Sequence, residues 1–304
     1  MARRMSKKTK KQLQSLLIML LLVAAYLLAG NFGLLDEAPE GQPVSAATGG
    51  SLQVHILDVG QADSILIKGP EKNVLIDAGE QKNAEEIYSY LSEQGAQQLD
   101  ILIASHPHAD HIGGMTHIVQ QAQVGRIIMS ELKDSVVPTT RVYTNLLTAI
   151  ADKGLKITKA KPGSEYDLGG GAVLTILGPT AFYDDLNNSS VVCRLDYGAT
   201  SFLFSGDIEK QAEADILASG ANLKVDVFCA PHHGSSSSTT QPYLDAAAPQ
   251  MATISLGLDN SYGHPHKEVL ERLGAREIPI YRTDLNGAIV ITSDGSTLTV
   301  ATQK

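Results

Sequence analysis

Ten residues constrain this chain more than any other stretch: SHPHADHIGG, at positions 105–114. They place four ligand-type side chains, His106, His108, Asp110 and His111, within six positions. The apolar run Ile101, Leu102, Ile103 and Ala104 directly before them reads as a buried strand, which puts the cluster on a loop at that strand's carboxyl end. Crowding three imidazoles and a carboxylate needs compensation, and divalent zinc or manganese accepts these donors. His106 and His108, two apart, can project to one cation, while Asp110 and His111 can turn toward a second. Pro107 stiffens the loop, and Gly113 and Gly114 end it.

Three later or earlier runs repeat the plan. Val74, Leu75 and Ile76 lead into Asp77; Phe202, Leu203 and Phe204 lead into Ser205, Gly206 and Asp207; the run ending at Cys229 leads into His232 and His233. Any one of these acids could merely cap the next helix, as Asp207 could before Ile208. Together they put chemistry-bearing side chains at several strand ends.

Charge and length narrow the class further. The 304 residues carry a formal net charge of −9. Residues 1–30 hold six cations and no acid and residues 31–50 hold three acids, which leaves −12 on residues 51–304. A body this acidic does not hold nucleic acid through a general basic surface, so an anionic substrate needs local positive charge such as a metal. Residues 16–30, LLIMLLLVAAYLLAG, are uncharged and follow the cations; this is short for a membrane span and suits a signal-peptide core or an anchor, with the remainder extracytoplasmic. Residues 31–50, with Pro39, Gly41 and Pro43, read as a tether. Cys193 and Cys229 are too few for a disulfide scaffold or a thiolate zinc knuckle and sit in apolar runs, as buried free thiols do, although an exported location permits a bridge between them.

From residue 51 onward, alternation predicts three quick strands at 52–57, 64–67 and 74–76, Ile87 and Leu91 at i, i+4 predict a helix over about 83–94, and the apolar run at 101–104 reads as a buried strand. Further strands are expected at 173–177, 191–195, 202–204, 224–229 and 252–256, with helices begun by Ile208, by residues near 240 and by Val269, and a closing hairpin at 287–300. Interleaved strands and helices in two halves predict an α/β arrangement of sheets with helices outside. A dinucleotide fingerprint and a phosphate loop are both absent from the sequence, so no nucleotide cofactor is expected.

The sequence resembles the metallo-β-lactamase superfamily, whose hallmark is HxHxDH, and within it the hydrolase domain of ComEC-type competence proteins. The likeness spans about residues 52–302 and rests on LDVGQADS (57–64), LIDAG (75–79), SHPHADHIGG (105–114), NNSSVV (187–192), SGD (205–207), APHHGS (230–235), SYGHPH (261–266) and RTDLNGAI (282–289). It implies a four-layer αββα sandwich over residues 51–304. It also implies two divalent ions, zinc or manganese: His106 and His108 on the first, Asp110, His111 and His233 on the second, and Asp207 bridging. His232 would be a neighbour or an alternative ligand, and Asp77 would orient the ligand loop. Where many relatives supply a third histidine to the first metal, this chain has Asn187, Asn188 and Ser190, and either the Asn188 amide as a weak ligand or a water molecule is expected to fill that position.

The catalytic set expected on this reading is Asp110, Asp207 and His264. Bound cations would lower the pKa of a water molecule to roughly 7, Asp207 would hold them, and His264 in GHPH would assist the leaving oxygen. Asp58, Gln61 and Asp63 are expected to shape the mouth. Three functions follow. The first is an extracytoplasmic phosphodiesterase or nuclease, as the resemblance implies, with a phosphodiester or nucleic-acid substrate and membrane contact if the leader stays. The second is another hydrolase of the fold, acting on cell-wall choline-phosphate esters or lactones. The third is a non-catalytic exported binding domain.

Overall fold

The computed structural model describes residues 50–304; the expected leader (1–30) and all of the tether but Gly50 lie outside the described residues. Strands β1 (Leu52–Ile56), β2 (Ile65–Lys68) and β3 (Asn73–Ile76) form the predicted antiparallel meander. The chain then crosses through α1 (Ala84–Glu93) to β4 (Gln98–Ala104), which pairs parallel with β3. After α2 (Ala109–Ile112) and α3 (Met115–Gln121) comes β5 (Gln123–Met129), and after α4 (Arg141–Asp152) comes β6 (Ile157–Lys159), both extending the parallel half.

A second sheet begins with β7 (Glu165–Asp167), β8 (Ala172–Gly178), β9 (Val192–Tyr197) and β10 (Thr200–Phe204), all antiparallel. It turns parallel through α5 (Lys210–Ala218), β11 (Val227–Cys229), α6 (Gln241–Ala247), β12 (Met251–Ile254), α7 (Lys267–Gly274) and β13 (Ile280–Arg282). After α8 (Thr283–Asn286), the predicted closing hairpin, β14 (Ile289–Ser293) and β15 (Leu298–Thr302), joins the edge of the first sheet against β1. The strand orders are β15-β14-β1-β2-β3-β4-β5-β6 and β13-β12-β11-β10-β9-β8-β7.

Period-two alternation explains the layering, because successive side chains leave opposite faces of a strand. Ile65, Ile67, Val74 and Ile76 of the first sheet share one core with Leu195, Phe202, Phe204 and Val227 of the second. The opposite faces are also apolar: Leu66, Leu75 and Leu102 pack with Ile87, Leu91, Ile118 and Leu146, while Leu203, Phe228 and Ile254 pack with Ile216, Tyr243 and Leu273. Three cores therefore separate four layers in the order αββα. Cys193 and Cys229 are free thiols in the central core, so the permitted bridge is not formed. Burial raises both thiol pKa values, Cys229 to about 12.

Residues 115–167 hold elements that the apolar pattern did not announce. In β5 only Ile127, Ile128 and Met129 are buried, whereas Gln123 and Arg126 are exposed. Strands β6 and β7 are three residues long and mostly exposed at sheet edges. The predicted strand over 224–229 shortens to β11 because Asp226 is held outside it, accepting hydrogen bonds from Ser201 N and Oγ at 2.7 and 3.0 Å.

Phe202 is fully buried and stacks on Phe204 with ring centroids 6.3 Å apart. Phe202→Ala is expected to lower unfolding free energy by about 3–5 kcal/mol through lost transfer and a residual cavity. Urea titration with an unchanged m-value checks it.

Candidate metal centre

Both parallel half-sheets end their strands on the same side, where an α/β sheet leaves a crevice for ligands. β3 delivers Asp77, β4 delivers residues 105–111, β10 delivers Asp207, and β11 delivers His232 and His233. The two glycines closing the first motif are needed for contact: a Cβ on Gly114 would stand 2.2 Å from Ala78 O, and one on Gly113 would stand 2.5 Å from Gln81 N. The loop is thereby pressed onto the turn after β3.

That turn fixes the histidines. Asp77 is buried and accepts from Ser105 N at 2.8 Å, Ser105 Oγ at 2.5 Å and His111 Nδ1 at 2.8 Å. Burial raises the Asp77 pKa above the usual carboxylate value, and the His111 charge and these donors oppose the rise. With Nδ1 spent on Asp77, His111 turns Nε2 inward. His233 is set the same way, its Nδ1 meeting Ser255 O at 3.0 Å and Asp63 Oδ1 at 3.4 Å. Asp63 therefore does border the site, from behind a histidine. His232 and His233 both adopt left-handed φ, 54° and 53°, a strain of order 1–3 kcal/mol each that aims two consecutive imidazoles at one place.

That place is Asp207. Its carboxylate is 2% exposed, and Oδ2 lies 3.3 Å from His111 Nε2, 3.7 Å from His232 Nε2 and 3.8 Å from both His106 Nε2 and His233 Nε2. Asp110 Oδ2 is 3.4 Å from His233 Nε2 and 3.7 Å from His111 Nε2. Donor atoms of Asp110, His111, Asp207 and His233 all fall within 4.8 Å of one another, so this group can hold a metal ion. On its other flank His106 Nε2 lies 2.9 Å from His108 Nδ1, close to the roughly 3.3 Å between two nitrogens that share a tetrahedral zinc.

The donor set fits cations on two further grounds. Among the described residues, His111 Nε2, His233 Nε2 and Asp207 Oδ1 are buried without a hydrogen-bond partner, an arrangement that is expensive unless something binds them. Burial disfavours charge on His111 and His233, yet Asp207, with Asp77 and Asp63, raises both pKa values well above the ordinary imidazole value. Burial would likewise raise the Asp207 pKa, but His111 and His233 hold it well below the carboxylate range. Protons there supply the positive charge that a cation would bring. Burial instead lowers the pKa of His106 and His108, leaving their rings neutral and ready as ligands.

Asn188 departs from its expected role. Its Oδ1 accepts from Glu209 N at 3.0 Å and Ala212 N at 3.1 Å, capping α5, and its Nδ2 donates to Asp185 at 2.9 Å. No acceptor remains for a metal. Asn187 lines the site instead, with a buried Oδ1 that has no partner among the described residues. Two adjacent asparagines leave a sequence reading unable to choose, since the turn alone decides which amide faces the helix. Ser190 supports from behind, its Oγ lying 3.2 Å from His106 Nδ1 and accepting from Asp207 N at 3.1 Å. His232 approaches Asp207 beside Ser237 Oγ, which is 3.1 Å from its Nδ1, so the serine run after the histidines positions one of them.

A hollow of about 340 Å³ opens over the cluster, lined by Gln61, His108, Asp110, Asn187, His232 and His264 among others. His264 thus reaches the site, through a hydrogen bond between its Nδ1 and Gln61 Nε2 at 3.2 Å. Gln61 Oε1 accepts from Gly257 N at 3.1 Å, which orients the amide and assigns His264 a bare Nδ1 and a protonated Nε2. Burial and the neighbouring His233 and His266 push its pKa down to about 4. It serves at neutral pH as a neutral N–H donor, not as a cation. Asp58 does not shape this mouth: it pairs with Lys304 Nζ at 3.0 Å beside a separate apolar hollow.

Residues 57–257 match the family model of the metallo-β-lactamase superfamily. The chain belongs to this superfamily. It is 32% identical over 261 residues to ComE operon protein 3 of Bacillus subtilis (strain 168), covering 78% of this chain and 32% of that protein. It is 31% identical over 260 residues to competence protein ComA of Neisseria gonorrhoeae, covering 84% and 34%. The chain therefore spans about a third of the length of these curated relatives. The metallo-β-lactamase fold protein YhfI from Bacillus subtilis superposes with a TM-score of 0.51 at 11% identity, over 82% of this chain and 100% of that one. The diiron β-hydroxylase CmlA from Streptomyces venezuelae gives 0.52 at 13%, over 83% and 55%. At such identities the likeness is one of fold, and the metallo-β-lactamase sandwich is what they share.

Two outcomes are expected. Because the raised pKa values leave His111 and His233 protonated at neutral pH, cation uptake releases protons and apparent affinity rises with pH; calorimetry in buffers of different ionisation enthalpy reads this directly. Asp77→Asn, which removes the orienting carboxylate, is expected to weaken metal affinity by roughly 10–100-fold, whereas Asn188→Ala lowers stability by about 1 kcal/mol with metal content retained.

Proposed function

We propose that this chain is a metal-dependent phosphodiesterase acting on nucleic acid, exported and either anchored or released, that works with two divalent ions, zinc or manganese. The supporting observation is the convergence of unpartnered buried donors on Asp207 beneath an open polar hollow. On this reading His106 and His108 would hold one cation with Asn187 Oδ1 nearby, Asp110, His111 and His233 would hold the other, and Asp207 would serve as a ligand between them. The chemistry such ions supply when bound is polarisation of a phosphoryl oxygen and acidification of a water molecule.

The chain's own groups do the rest. Burial of Asp207 keeps bulk water off its carboxylate, so its negative charge acts at low dielectric on whatever binds at Oδ1 and Oδ2. Asp110, less buried, faces the hollow and reaches the cluster from the substrate side. His264 offers its Nε2–H to a phosphoryl or leaving oxygen, and Gln61 holds the ring in that tautomer. Similarity to competence proteins supports a DNA-related substrate. An acidic body that cannot hold DNA by itself agrees with a site where cations provide the only strong attraction for phosphate.

Purified protein loaded with manganese or zinc is expected to hydrolyse bis-p-nitrophenyl phosphate and DNA. His108→Ala and Asp207→Ala should each lose more than the roughly 100-fold that removal of a merely supporting partner costs. Retained activity in both variants overturns the metal reading; turnover of the small diester without DNA turns the assignment toward another phosphodiester, and an inert metal-loaded protein toward a binding domain. His264→Phe should lower kcat, and the wild-type rate should not decline between about pH 6 and 8 as an acid of ordinary pKa near 6.5 would require.

A further inference from the structure

Three rings form a column that leads out of the donor cluster. His264 lies nearly parallel to His233, with planes 28° apart and centroids at 6.2 Å, and Tyr262 lies nearly parallel to His264, at 21° and 5.5 Å. Tyr262 ends the column and is 66% exposed. It does not ride on a loose loop. Asn260 Nδ2 donates to Gly257 O at 3.0 Å and His264 O at 2.7 Å, and Asn260 Oδ1 accepts from Tyr262 N at 3.2 Å and His264 N at 3.0 Å. One side chain thus ties four backbone groups and holds an exposed aromatic ring in register with the site.

Tyr262 also stands on a divide. A second hollow, of about 370 Å³ and lined by Glu80, Asn260 and Ser261 among others, shares Gln61, Ala109, Asp110 and Tyr262 with the hollow over the cluster. A substrate filling both passes Asp110 and Tyr262 at its midpoint, as a polymer does and a small ester does not.

We propose that Tyr262 is the stacking platform for a nucleobase next to the scissile phosphodiester, which makes the site selective for base-bearing single strands. This rests on the phosphodiesterase reading and names its substrate class. Stacking tolerates any base, because every base has a π-face. It is also independent of charge, which suits a protein whose surface repels the phosphate backbone. A base paired within a duplex has no free face to offer, so strands must be single or frayed.

The test compares a single-stranded oligothymidylate with an abasic tetrahydrofuran strand of the same length, on the manganese-loaded full chain. Wild type is expected to show a KM roughly 5- to 150-fold lower for the base-bearing strand, the span that stacking of about 1–3 kcal/mol per base implies. Tyr262→Ala should raise KM for that strand to the abasic level with kcat little changed, and Tyr262→Phe and Tyr262→Trp should restore the difference. A 2-aminopurine-labelled strand titrated with the His108→Ala protein gives a readout free of turnover: quenching is expected, and its loss in His108→Ala/Tyr262→Ala. If wild type cleaves DNA but Tyr262→Ala keeps the full difference, or loses equally on both strands, the platform falls and the phosphodiesterase reading stands. If wild type cleaves neither strand yet quenching depends on Tyr262, the reverse holds. Neither cleavage nor quenching overturns both.

Discussion

A carboxylate buried among imidazoles organises this molecule. Asp207 is almost inaccessible to water, and four histidine nitrogens lie within 3.8 Å of one of its oxygens. An isolated ionised acid in that position would be strongly unfavourable. Its neighbours compensate, since His111 and His233 are held protonated by the same carboxylates that need them. Charge neutrality in this pocket depends on bound positive charge, whether carried by protons or by cations, and the remainder of the centre serves to keep the donors turned inward.

The two-sheet sandwich is what makes that crowding affordable. The cluster stands over the carboxyl ends of strands from both sheets, whose shared core fixes one sheet against the other. Each inward ring nitrogen is set by a partner at its other nitrogen: Asp77 for His111, Ser255 O and Asp63 for His233, Ser105 and Ser190 for His106. Local strain is concentrated at the same strand ends. Asp77, His232 and His233 have positive φ, and Gly206, at φ 53°, brings the Asp207 turn so near that an added Cβ would meet Ser105 and Ser190 at 3.0 Å. The conformations are held because hydrogen bonds and packing on both sides over-determine them.

How legible this was depended on whether a residue's role is local. The meander shows period-two alternation and the strand before the first motif an unbroken apolar run, and the structure has both, together with the closing hairpin, where the sequence pattern puts them. Strand β5 and the edge strands β6 and β7 carry little apolar signal in the sequence, because they are half-exposed or very short. Asn187 and Asn188 show the same limit at the site: both are asparagine, and only the position of α5 decides that Asn188 becomes its cap while Asn187 faces the hollow. Asp58 and Asp63 share one turn after β1, yet one pairs with the last residue of the chain and the other supports His233.

The amino-acid sequence by itself determined which chemistry is possible. Four donors in six positions with acids and histidines at other strand ends imply cations, because no other common partner satisfies so many such groups together. Tertiary structure decided which nitrogen of each ring is free, which amide is spent on a helix, that His264 is neutral, and that Tyr262 extends a column of rings from the centre to solvent. The physical reason is that donor type is a property of the residue, whereas tautomer, charge and accessibility are properties of its neighbours, and those neighbours come from segments up to about two hundred residues away, as Gln61 does for His264.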